Sequence, residues 1–171
     1  KGKTENFHDS VSRTTAEELP IFLSKEQLAG LAGHTGTPSV SIYMETHPAG
    51  VDKNEQKDAI AFKSLLQQIT GELKSKGIDM LSTERMLQPA YDLLRDEQFW
   101  LQVSKGLAVF IAESKFNYIK LPIAPKNELL INASFYLSPL IPMVTARDYF
   151  YLLVLSKKQA KLFRADQFGM V

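Results

Sequence analysis

The sequence predicts an α+β (mixed α/β) fold, with a mainly antiparallel sheet, two long helices packed on it and a β-hairpin near the C-terminal end. Three observations predict it. An alternating segment, Ser39–Thr46, precedes two long amphipathic stretches, and these are followed by apolar β-forming runs joined by short polar turns. A strand, then helices, then consecutive hairpins favours antiparallel pairing over a doubly wound sheet.

Each element has its own signal. Residues 1–14 are polar and predict frayed chain, and residues 15–20 a single turn at most. Ser24 before Lys25–Leu31 predicts a capped short helix ended by Gly30, Gly33 and Gly36. In Ser39–Thr46, Val40, Ile42 and Met44 alternate with Ser39, Ser41, Tyr43 and Glu45, which predicts a strand with one face buried. Between Lys53 and Lys76, Phe62, Leu65, Leu66, Ile69 and Leu73 form a core-facing stripe, with Lys63, Gln67 and Lys74 on the wet face. Gly77 suits the position after that helix. A second helix is expected from Ser82 to Arg95, with Met86, Leu87, Ala90, Tyr91 and Leu94 inward and Pro89 deleting one backbone hydrogen bond. Phe99 and Trp100 supply large apolar anchors.

Lys105–Glu113 and Lys115–Leu121 read as a hairpin turning at Glu113-Ser114-Lys115, and Glu128–Phe135 as a further strand. Ser138–Pro142 predicts a short helical or irregular crossing. From Tyr149 to Phe168 the chain reads YFYLLVLSKKQAKLFRADQF, two apolar strands about a turn at Ser156-Lys157-Lys158. Such a hairpin is marginal alone and normally feeds a larger sheet. The chain starts Lys1-Gly2-Lys3 and ends three residues after Phe168. It therefore reads as a piece of a longer protein, with residues 1–145 as one α/β domain and 146–171 as the first hairpin of the next. A hairpin parted from its sheet is expected to pack on the first domain or to pair with a second copy of the chain.

Composition narrows the chemistry. With 171 residues, 44% hydrophobic and 23% charged, the chain matches an ordinary globular protein that needs no staple. It has no cysteine, which removes disulfides, zinc-ribbon spacing and a thiol nucleophile and fits a cytoplasmic location. No apolar run is long enough to cross a bilayer, so no membrane partner is expected. Net charge is +1, but residues 145–171 carry five basic and two acidic side chains, a net +3, leaving −2 on residues 1–144. That basic end suits a polyanion or a lysine-protected sheet edge.

The histidines His8, His34 and His47 share no metal-ligand spacing, so neither metal nor cofactor is expected. No G-x-S-x-G elbow, Walker loop or G-x-G-x-x-G fingerprint occurs, and the glycines at 30, 33 and 36 do not follow a strand. Phe110, Phe116 and Tyr118 lack the basic surroundings of an RNA-stacking sheet and read as core. His47 draws attention, since it follows Glu45 and Thr46 at a strand end and precedes Pro48. A Glu45/His47 acid–base pair is chemically conceivable there. The structural alternative, which the residues favour, has Thr46 and His47 hydrogen-bonding the loop and starting the next helix.

Several blocks, in order, carry a resemblance. They are Pro38–Gly50 (PSVSIYMETHPAG), Phe62–Leu66 (FKSLL), Leu93–Trp100 (LLRDEQFW), Gly106–Ala112 (GLAVFIA), Phe135–Pro142 (FYLSPLIP) and Tyr149–Arg164. Together they resemble the N-terminal region of the bacterial archaeo-eukaryotic release factor family. The resemblance implies a three-domain parent, whose N-terminal α/β domain contacts the decoding region and whose middle domain carries a Gly-Gly-Gln loop. No Gly-Gly-Gln and no Asn-Ile-Lys-Ser occur here, and Asn117-Tyr118-Ile119-Lys120 is a chance echo inside a strand.

The expectation is therefore a non-catalytic N-terminal domain of a release-factor-like protein, a ribosome- or RNA-facing binding module linked to translation, with the ribosome or tRNA as its partner. Its candidate contacts are Thr46, His47, Lys63, Lys157, Lys158, Lys161 and Arg164. The rivals are a protein-interaction or assembly domain with no nucleic-acid role, including a homodimer through the C-terminal hairpin, and an enzyme using Glu45 and His47.

Overall fold

The computed structural model describes residues 23–48, 55–145, 149–156, 159–166 and 169–170. The expected frayed start and the turn at 15–20 lie outside them. Helix α1 (Lys25–Ala32) leads into β1 (Thr35–Glu45), then α2 (Glu55–Ser75), α3 (Met80–Arg95) and the short α4 (Glu97–Leu101). Strands β2 (Gly106–Ala112), β3 (Lys115–Leu121) and β4 (Glu128–Ser134) follow, then a 3₁₀ turn (Ser138–Leu140) and α5 (Ile141–Thr145). A second sheet holds β5 (Tyr149–Leu155), β6 (Ala160–Asp166) and the two-residue β7 (Gly169–Met170).

The first sheet has the order β3-β2-β1-β4, and every pairing in it is antiparallel. The strand predicted at Ser39–Thr46 is central and starts earlier, at Thr35, with a register shift between Thr35 and Ser39. One face of β1 was expected to be buried, yet Ser39 through Met44 are all buried. The difference arises from a second layer that periodicity does not reveal. Val40, Ile42 and Met44 pack under α2 and α3 with Phe62, Leu66, Ile69, Leu73, Met86 and Leu87. Tyr43 lies in a separate cluster on the opposite face with Leu31, Phe110, Phe135 and Leu140. Two of the polar side chains on that face are paired, since Tyr43 Oη donates to the Tyr136 carbonyl at 2.6 Å and the Tyr136 N–H donates to Ser41 Oγ at 2.9 Å. The buried Nε2 of His34, stacked on Phe135, has no hydrogen-bond partner among the described residues. Burial, followed by the charges of Tyr136 and Glu128, pushes the Tyr43 phenol well above its ordinary range.

Helix ends follow capping chemistry. Ser24 and Gln27 form a reciprocal capping box on α1. The second long helix was expected to start at Ser82 but starts at Met80, because Asp79 caps it by accepting the Ser82 N–H at 2.9 Å. The side-chain and backbone bonds from Ser82 hold the Asp79 carboxyl below its usual value. Gly77 has φ +79°, the left-handed conformation suited to the residue after α2. Helix α3 continues through Pro89, and Trp100 Nε1–H takes the carbonyls of Leu93 and Leu94 at its end, at 3.1 and 3.2 Å.

The β2–β3 hairpin turns at Glu113-Ser114 as predicted. Phe110 is buried, Phe116 is half-buried, and Tyr118 is exposed against Phe99 with ring centroids 5.1 Å apart. Gly106 has no room for a side chain, since a Cβ there would lie 2.3 Å from Pro125 and 2.6 Å from the Ile123 carbonyl. The 122–127 connection is thereby laid across the start of β2.

Candidate functional site

The site lies where β1 leaves the sheet. The Thr46 N–H donates to the Lys105 carbonyl at 3.0 Å, and its hydroxyl donates to the Ser104 carbonyl at 2.7 Å. Both bonds tie the strand end to the residues that open β2. Thr46 is buried and fully engaged, so it supports the loop from beneath.

His47 emerges from this anchor and is gripped by one carboxylate. Its backbone N–H donates to Asp58 Oδ2 at 2.7 Å and its ring Nδ1–H to Asp58 Oδ1 at 2.9 Å. Asp58 stands in the first turn and a half of α2, and its side chain is only 6% exposed, against 55% for His47. A buried carboxylate holding both the backbone and the ring fixes the imidazole's orientation and its tautomer. Nε2 is left without a partner among the described residues. The hydrogen bond to Asp58 and its charge, with a lesser contribution from Glu45, raise the His47 pKa above its ordinary value, against the opposing effects of partial burial and of the Lys57 charge. The imidazole therefore holds its proton further toward neutrality than a free histidine does.

Glu45 is not the partner that sequence reasoning paired with His47. Its N–H donates to Asn127 Oδ1 at 2.7 Å, and Asp58 occupies the hydrogen-bonding position on the ring. Asp58 was missed because it lies eleven residues downstream, across a loop and on another element. The available signal was an acidic residue four positions before Phe62, on the buried stripe of α2, where an unpaired carboxylate is costly.

The other expected contacts are scattered. Lys63 is exposed on the wet face of α2, next to Phe62 in sequence but outside the His47–Asp58 pair. Lys161 is exposed on β6 opposite Val154, and Arg164 stands on β6 opposite Tyr151. Lys157 and Lys158 lie outside the described residues. Three further lysines are spent on backbone carbonyls, Lys76 on Ile131, Lys115 on Gly30 and Lys120 on Gln102, and Lys120 also lies 5.0 Å above the Phe99 ring. Among the described residues no group of three metal-ligating side chains converges, and no helix is long and apolar enough to cross a membrane.

The fold places the described chain in a broad class, an α+β unit with a four-stranded antiparallel sheet, helices and a separate antiparallel hairpin. Two solved structures are similar to it. An archaeal translation termination factor, aRF1, has a TM-score of 0.49 and 19% sequence identity, covering 82% of this chain and 39% of that one. A structure described as an archaeal protein has a TM-score of 0.49 and 18% identity, covering 82% of this chain and 40% of that one. The chain thus spans about two fifths of the length of each. No protein-family model matches it, and no curated protein sequence matches it.

Proposed function

We propose that this chain is a non-catalytic binding domain of a release-factor-like protein, and that it meets the ribosome or tRNA through phosphate contacts. One observation carries the reading. A buried carboxylate holds the His47 ring at the end of the central strand with Nε2 turned away from its partner and the ring proton-retaining. An imidazolium fixed in that way is a donor for an anionic oxygen. Lys63, Lys157, Lys158, Lys161 and Arg164 would add positive charge to the same polyanion. The ordered sequence blocks support the release-factor-like assignment, with residues 1–145 as its N-terminal domain and residues 146–171 as the opening of a middle one.

The test is co-sedimentation of the whole chain with ribosomes, and its retention on immobilised tRNA, between 50 and 200 mM salt (about the range in which phosphate contacts weaken steeply). Binding at low salt that falls with salt and weakens in His47→Ala supports the reading. A chain that does not bind at about 50 mM salt refutes it.

A second reading, a protein-assembly domain without a nucleic-acid role, is favoured by the β5–β6 hairpin. Tyr151, Leu152, Leu153, Val154 and Leu155 are all exposed, as is Leu162. Of the two dispositions expected for the hairpin, packing on the first domain is not what these residues do; pairing with a second copy is the one this reading adopts. A soluble partner or dimer that resists nuclease and high salt would favour this reading over the first.

A further inference from the structure

The outer edge of β4 forms a second surface, separate from His47. In β1 the Thr46 N–H reaches the β2 side and the Glu45 N–H the β4 side, so the odd-numbered residues of β1 are those that bond to β4. With Ser41 opposite Leu130 and Tyr43 opposite Glu128, the backbone groups of Leu130 and Glu128 turn toward β1. Those of Leu129, Ile131 and Ala133 therefore turn outward. The Ile131 carbonyl agrees with this assignment, since it accepts from Lys76 Nζ at 3.3 Å. It is the one outward group of the three with a recorded partner among the described residues, and β4 is the end strand of its sheet.

Two clefts lie along this edge. One, of about 510 Å³, lies between Leu129 and the α2 residues Ala61, Ser64 and Gln68, and carries Glu45 and Glu128. The other, of about 620 Å³, lies between Ile131 and Ala133 and the α2–α3 corner, with Ile78 and Met86 on its wall. The first is acidic. Glu45 has no ion-pair partner among the described residues, and Glu128 has only the highly exposed Lys126 at 3.2 Å, a surface pair of little strength. The second sets Ile78 and Met86 beside Asp79, Glu113 and the cation of Lys76.

We infer that the outer edge of β4 captures an extended peptide segment, which adds as a fifth strand and places a basic side chain beside Glu45 and Glu128 on one face and an aliphatic one toward Ile78 and Met86 on the other. Outward backbone groups recurring at every second residue, with the Ile131 carbonyl shared with Lys76, are matched by an extended backbone. Side chains opposite Leu129 and Ile131 would face the helices, and those opposite Glu128 the other side. Charge selects the end at which the basic residue sits. This inference stands apart from the phosphate-contact reading and uses neither His47 nor the lysines assigned to it.

The test begins with selection of random peptides displayed on phage against the immobilised whole chain. A synthetic copy of the enriched peptide is then followed by amide hydrogen exchange. The expected sequences carry Lys or Arg one or three residues from an aliphatic residue, since the two side chains face opposite sides of the strand. At saturation the amides of Leu129, Ile131 and Ala133 should slow by at least about tenfold. Glu128→Lys, at a half-buried position of β4 and with its thermal unfolding checked against the native chain, should weaken binding about tenfold, a loss typical of one reversed charge contact. Failure to enrich any peptide family overturns the inference. So does protection confined to β3 or β5, unchanged affinity in Glu128→Lys, or tRNA protecting these amides where the peptide does not.

Discussion

His47 donates twice to one carboxylate, once from the backbone and once from the ring, and the two bonds have different consequences. The backbone bond shapes the loop at any pH. The ring bond gains when the imidazole is charged, and the sign of its effect follows from the raised pKa. The contribution is complete below the unfolded histidine value of about 6.5 and is lost as pH rises through the higher folded value. Urea midpoints should therefore decline across that window in the native chain and stay flatter in His47→Ala. An NMR titration of the ring should show its pKa fall in Asp58→Asn. Gly106 offers a test that does not depend on charge. A methyl group there meets Pro125 and the Ile123 carbonyl, so Gly106→Ala should cost about 1–3 kcal/mol in denaturant unfolding.

Helix α2 divides cleanly between core and surface. Phe62, Leu66, Ile69 and Leu73 are fully buried against the sheet, while Lys63 and Gln67 are exposed. Leu66→Ala should lose about 2–5 kcal/mol by calorimetry, whereas Lys63→Ala should stay within about 0.5 kcal/mol. If Lys63 contacts phosphate, the same substitution should still reduce the salt slope of tRNA binding. The stripe was legible in the sequence because a helix samples its surroundings every third or fourth residue. The start of α3 was less so, because both Asp79 and Ser82 are competent caps and only the Asp79 carboxylate reaches the Ser82 N–H. For Trp100, Trp100→Phe should keep the packing against Phe62 and Phe99 but leave the end of α3 without its donor. About 1 kcal/mol is expected to be lost in thermal unfolding.

At the scale of the whole molecule, a well-filled sheet domain is joined in sequence to a hairpin that presents apolar side chains on both faces. Tyr151, Leu153 and Leu155 alternate with Leu152 and Val154, and all five are exposed, the pattern of a strand suited to burial on both sides. Leu153→Lys with Leu155→Lys should reduce concentration-dependent association in sedimentation velocity without lowering the melting of the first sheet. The sequence by itself determined the order of the elements, the helix-side core, the antiparallel pairing and the apolar character of the hairpin. All of these follow from local periodicity and turn chemistry. Tertiary structure alone decided that β1 is buried on both faces, that Asp58 and not Glu45 holds His47, and that Thr46 lies beneath the loop. Among the described residues it also left β4 as an end strand of its sheet. Each of these outcomes depends on which distant segments meet, and periodicity along one segment carries no record of its neighbours in space.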